Sequence, residues 1–169
     1  GTRPRYKNKN LDAQSVADLV TSSKDRAENI MIVDLLRNDL GKVCQPGSIK
    51  VPQLVKLESY SHVHHLTSII NGQLKSNYSW VDLFEACWPG GSISGAPKNR
   101  ACLRLNELEK TSRGPYCGSL IKVNWNGQID SSILIRSLFR FGTTLYAHAG
   151  CGIVADSDAN AEADELNWK

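Results

Sequence analysis

The chain has 169 residues, of which 41% are hydrophobic, and a formal net charge of +3. That is enough apolar material for a core of its own, so one globular unit spanning residues 1–169 is expected. The positive charge is spread along the chain without a dense Lys/Arg block, which argues against a nucleic-acid face. No apolar run has the length needed to cross a membrane, and no signal segment is expected within these residues, where a signal upstream of Gly1 would not show.

Five cysteines (Cys44, Cys87, Cys102, Cys117 and Cys151) are widely spaced and form no CxxC pair. Neither a disulfide framework nor a zinc site is indicated, and a reducing cytoplasm is the expected compartment. The sequence begins at Gly1 without an initiator Met and stops at Trp168-Lys169 inside a helical pattern, which leads us to expect a piece of a longer protein.

In chain order, GTRPR is a turn-like start, and Leu11, Val16, Leu19 and Val20 carry helical spacing. Ser22 or Ser23 can cap a second helix through DRAENIMIVDLLRNDL that stops at Gly41. On it, Glu28 shares a face with Met31, Ile32 and Leu35; a carboxylate there sits at the rim or has a buried cationic partner. Gln53–Tyr60 and Val63–Ile70 read as strands. The period of two places His65 with Thr67 and Ile69, so that His65, and neither His62 nor His64, lies inside the apolar register. A lone histidine on a strand serves structure more often than chemistry.

Ser79 with Asp82 resembles a capping box before a short helix ending at Trp88-Pro89. The run PGGSISGAPK then places three glycines and two hydroxyls before Pro97, which favours the first position of a helix reaching to about Glu109, with Ala101, Leu105 and Leu108 inward. It reads as an anion site or as a plain loop-to-helix turn. Gly90 and Gly95 mimic the spacing of a nucleotide-binding loop, but Ala96-Pro97 stands where that motif needs Lys and a hydroxyl.

Three strands follow in hairpin order: Tyr116–Trp125, a turn at Asn126-Gly127, Gln128–Phe141, and Thr143–Ala149. In the middle strand Leu134, Arg136 and Leu138 point one way. An arginine between leucines is costly unless it meets an anion, whether a ligand or a structural acid. Beyond Gly150-Cys151-Gly152, Ser157 is expected to cap a helix on which Glu162, Glu165 and Lys169 share a face. That face is either solvated and salt-bridged, or two of its carboxylates hold a hard divalent cation.

Together DRAENIMIVDLLRNDLGKV, VHHL, PGGSISGAPK, IRS, GCGIVADS and EADE, in this order, resemble the chorismate-utilising enzymes over essentially the whole chain. Within that family the chain is similar to component I of aminodeoxychorismate synthase, with component I of anthranilate synthase the near neighbour. PGGSISGAPK with Cys117-Gly118-Ser119 leans toward the former. The resemblance implies an α+β fold in which two large antiparallel sheets are packed face to face and flanked by helices, with this chain its C-terminal part.

It also implies Mg²⁺ held by Glu28 and Glu165, with Glu162 beside the metal and its waters. Arg136 and Tyr116 match positions that hold a substrate carboxylate, joined by Lys169 and by backbone groups around Gly150 and Gly152. Ser92 and Thr2 match hydroxyls that meet substrate, and His65 the histidine near the leaving hydroxyl. The implied reaction is amination of chorismate to 4-amino-4-deoxychorismate on the folate and para-aminobenzoate route, with ammonia from a glutamine amidotransferase partner. Anthranilate synthase is the alternative within the class, and a non-catalytic anion-binding module whose glutamates bind no metal is the alternative outside it. Two departures stand out. The family's general-acid Glu and nucleophilic Lys fall before Gly1, so the 169 residues alone are expected to be inactive, and Cys151 occupies a position where Gly or Ala is usual.

Overall fold

The computed structural model describes residues 1–155 and 157–166. Contacts gather the chain into two compact units, Gly1–Trp88 and Pro89–Lys169. Strands pair only antiparallel among the described residues, and helices accompany them in both units, which is the α+β class expected.

The first unit runs β1 (Thr2–Pro4), α1 (Lys9–Thr21), α2 (Ser23–Val43), β2 (Lys50–Ser59), β3 (Val63–Asn71) and α3 (Trp80–Cys87), with the strands in the order β1-β3-β2. Asn8 caps α1 by accepting from the amides of Asn10 and Leu11, and the Ser22 hydroxyl accepts from the amide of Asp25 at the start of α2. These caps satisfy donors that a helix leaves orphaned at its start. The core is Leu19 from α1 with Val55 and Leu66 from the sheet, Leu57 packing against it.

Three readings of this unit change. α1 turns Ser15 and Leu19 inward while Leu11 and Val20 stay exposed, because the Ser15 hydroxyl donates to the carbonyl of Pro4. α2 continues past Gly41 to Val43 and buries Val33, Asp39 and Val43, leaving Met31 41% exposed. Asn29, next to Glu28, is the residue turned toward the sheet: its amide donates to the carbonyl of Leu66, and its oxygen accepts from Ser68 at 2.5 Å. Ser68 in turn accepts from the amide of Val55, which sits at a bulge in β2 with a positive φ of 49°.

The second unit runs α4 (Gly91–Ser94), α5 (Lys98–Leu108), β4 (Ser119–Val123), β5 (Ile129–Ile133), β6 (Leu138–Phe141), β7 (Thr144–Ala147) and α6 (Ala159–Leu166). β4 pairs with β5 and β6 with β7. The long middle strand expected over 128–141 is broken into β5 and β6, because Arg136 adopts a φ of 53° that interrupts the alternation of side chains. Leu134, Arg136 and Leu138 therefore share no strand face, and Leu138 is 70% exposed. Pro97 precedes α5 as its cap residue instead of opening it, and Leu108, expected inward, is exposed. Asp158, not Ser157, caps α6: its carboxylate accepts from the amide of Asn160 and its carbonyl from the amide of Glu162.

Candidate active site

In the first unit, antiparallel pairing sets Thr2 directly opposite His65. The Thr2 hydroxyl lies 2.6 Å from Nδ1 of His65, so two residues 63 positions apart are joined by one short hydrogen bond. Glu58 faces His65 from the other side, on β2. Its carboxyl is held below the usual range by hydrogen bonds from Tyr60, first, and then from Gln53 and Thr67.

The neighbouring histidine corrects the strand reading. His64, not His65, belongs to the buried side of β3 with Leu66, and is 2% exposed. Burial is tolerated because both ring nitrogens have partners: Nδ1 lies 2.8 Å from the Ser59 hydroxyl and Nε2 lies 3.0 Å from Oδ1 of Asp12. Asp12 also accepts from the backbone amide of Tyr6 and from Arg5, which, in that order, carry its carboxyl down to about 2. A polar residue that finds all its partners inside is invisible to hydrophobic periodicity.

In the second unit a cavity of about 680 Å³ is lined by Ser92, Tyr116, Arg136, Gly150 and Gly152, residues that come from well-separated parts of the sequence. Tyr116 stacks on His148 with ring centroids 5.4 Å apart. Burial, first, and the adjoining Cys117 push its phenol up, so the hydroxyl keeps its proton at neutral pH. Gly150 lies close to Tyr116: a Cβ there would stand 2.9 Å from the Tyr116 hydroxyl and oblige that side chain to shift, whereas one on Gly152 would meet nothing within 4 Å. Arg136 contributes to this wall from its bend and is exposed.

Of the remaining predicted residues, Glu162 is buried, at 7% exposed, and its Oε1 accepts from the Ser157 hydroxyl at 2.7 Å. It does not belong to a solvated charged face. Glu28 is half-buried on α2. The side chain of Glu165 and all of Lys169 lie outside the described residues.

A family model described as chorismate binding enzyme matches residues 1–169. The chain belongs to this family. Among relatives of the chorismate-binding enzymes, aminodeoxychorismate synthase component 1 of Klebsiella aerogenes is 48% identical over 165 residues, covering 98% of this chain and 37% of that protein. Anthranilate synthase component 1 of Saccharolobus solfataricus is 44% identical over 169 residues, covering 100% of this chain and 40% of that protein. The crystal structure of anthranilate synthase component I from Streptococcus pneumoniae superposes with a TM-score of 0.81 at 32% identity, over 98% of this chain and 40% of that one. The chain thus has the fold of the corresponding part of these enzymes and spans about two fifths of their length.

The cysteine that departs from the usual small residue is accommodated: the Cys151 thiol donates to the carbonyl of Glu162 at 3.3 Å. As for a metal, carboxylates are the hard oxygen donors that Mg²⁺ takes, and Glu28, Glu162 and Glu165 are of that kind. The described residues by themselves gather no set of three His, Cys, Asp or Glu that could hold an ion. No helix among them is long and apolar enough to cross a membrane.

Proposed function

We propose that the chain is part of an enzyme that aminates chorismate at C4, expelling the hydroxyl there and yielding 4-amino-4-deoxychorismate. The observation that carries the reading is the cavity in which Ser92, Tyr116, Arg136, Gly150 and Gly152 meet. Chorismate is a dianion. A guanidinium fork and a protonated phenol on one wall suit a carboxylate, the first by two parallel N–H donors and the second by one O–H donor. A glycine at 150 leaves the Tyr116 hydroxyl room to be approached.

Toward the leaving hydroxyl, Thr2 and His65 would assist a general acid that the family resemblance places before Gly1. When the Thr2 hydroxyl donates to Nδ1, a neutral His65 carries its own proton on Nε2, the tautomer able to donate to a departing oxygen. Mg²⁺, taken by the carboxylates of Glu28 and Glu165 with Glu162 beside it, would supply Lewis-acid stabilisation of the ring carboxylate and orient the substrate. Lys169 would join Arg136 and Tyr116 on a carboxylate. Ammonia would come from a glutamine amidotransferase partner.

A second reading within the family, anthranilate synthesis, is supported by the Saccharolobus solfataricus anthranilate synthase relative, 44% identical over 169 residues. The experiment that separates them is product chromatography after incubating the native gene product that carries this segment with chorismate, ammonium and Mg²⁺. We expect 4-amino-4-deoxychorismate; fluorescent anthranilate in its place would establish the second reading, and unaltered chorismate would contradict both.

A further inference from the structure

The second unit contains an arginine that the reading of the reaction does not use. Arg113 follows α5 and directs all three guanidinium nitrogens to protein acceptors: Nε and Nη2 donate to the two oxygens of Glu109, at 2.8 and 2.6 Å, and Nη1 donates to the carbonyl of Ile93 at 3.1 Å. The first two bonds are a bidentate fork, which fixes the plane of the guanidinium as a single ion pair would not. The third uses that fixed plane to reach across 20 residues to α4. α4 is one turn long, and its carbonyls have few backbone donors of their own, so a side-chain donor there stands in for missing helix. The backbone of the same residue acts in the opposite direction, because the Arg113 carbonyl accepts the amide of Tyr116 at 3.0 Å.

We propose that Arg113 is a positioning residue that ties the Ser92-bearing loop to Tyr116, and that Glu109 serves to aim it. Both residues line the same cavity as Ser92 and Tyr116. The contrary view treats Arg113 and Glu109 as an ordinary i, i+4 surface pair, of the sort that contributes little. That view leaves the Ile93 carbonyl contact without a purpose and predicts no change in the loop when the pair is broken. The consequence for chorismate rests on the function proposed above; the clamp itself does not.

Two measurements on the native gene product test it. Hydrogen–deuterium exchange reads the amides of Ile93, Ser94 and Gly95, which bond to the carbonyls of Gly90 and Gly91, with the amides of α2 reporting that the fold is intact. Arg113→Ala should speed exchange at these three positions by about tenfold or more while α2 is unchanged, and raise the KM for chorismate by about tenfold with kcat changed less. Arg113→Lys, which keeps the charge but not the fork, should recover only part of either effect. Unaltered exchange at 93–95 in Arg113→Ala would overturn the clamp, and faster exchange with an unchanged KM would overturn its positioning role. A wild-type protein inert toward chorismate would contradict the proposed function and leave the exchange result to decide the clamp.

Discussion

The Thr2 hydroxyl sits 2.6 Å from Nδ1 of His65, across an antiparallel pair in which the two residues are direct partners. That hydrogen bond holds the ring orientation of the histidine, and when the hydroxyl is the donor the ring proton resides on Nε2. Thr2→Val preserves shape and removes the bond. It should lower kcat of the native gene product by about 10- to 100-fold, within the range of lost acid–base help, whereas Thr2→Ser should retain most activity. Equal rates for the Val and Ser variants would show that the bond is only structural.

Gly150 and Tyr116 make a second pair whose coupling can be measured. A methyl group at 150 would press on the Tyr116 hydroxyl at 2.9 Å but stand 3.9 Å from the ring carbon that bears it. Gly150→Ala should therefore weaken chorismate binding by about tenfold in the wild-type background, yet add little once Tyr116→Phe has removed the hydroxyl. Isothermal titration of the four proteins gives the coupling directly; independent, multiplying effects would contradict the close approach.

Arg136 holds a backbone conformation that costs a non-glycine residue about 1 kcal/mol. Arg136→Gly relieves this, and the relief is offset by the roughly 0.5–1 kcal/mol that glycine adds to the entropy of the unfolded chain. The melting temperature should thus move by no more than about 3 °C. The KM for chorismate should rise about 10- to 100-fold, the worth of a lost charge-assisted pair. A variant that melts and turns over like the wild type would remove Arg136 from the site.

The elements that could be read from the residues are those whose signals are local. The capping box at Ser79 and Asp82 forms as expected, with the Asp82 side chain accepting from the Ser79 amide, and Gly127 takes a φ of 84° in the β4–β5 turn. What could not be read are the places where a polar residue is buried with its partners or a backbone departs from its register. Asn29 faces the sheet because Ser68 and Leu66 satisfy it, so the helix face expected from Glu28 and Met31 is rotated by one residue. His64 is buried by virtue of Ser59 and Asp12, which shifts the apparent register of β3. Leu-Ile-Arg-Ser offers no glycine, proline or asparagine to announce the break at Arg136. Arg136 and the glycine loop that bears Ser92 stand out in the sequence as candidate anion sites, whereas Tyr116, Gly150 and Gly152 enter only through the family resemblance, and nothing in the spacing predicts that they meet.

The His64 network predicts a pH dependence. Asp12 is held at about 2, against 3.8 for the free side chain, first by the Tyr6 amide and then by Arg5. A carboxyl with a lowered folded-state value adds stability that is fully present above about pH 4 and is lost as pH falls toward 2. The melting temperature of the wild type should fall across that window, and Asp12→Asn should flatten part of the fall. His64→Ala, by emptying a buried site and removing the ring's hydrogen bonds to Asp12 and Ser59, should cost about 1–3 kcal/mol at neutral pH by chemical denaturation. An Asp12→Asn protein with an unaltered acid profile would contradict the network's role.

The central claim is that the cavity walled by Ser92, Tyr116 and Arg136 receives a carboxylate of chorismate. A crystal structure of the native gene product with bound chorismate tests it most directly. We predict a substrate carboxylate within about 3 Å of the Arg136 guanidinium and the Tyr116 hydroxyl, the reach of a charge-assisted hydrogen bond. Chorismate bound elsewhere, with this cavity filled by solvent, would contradict the account.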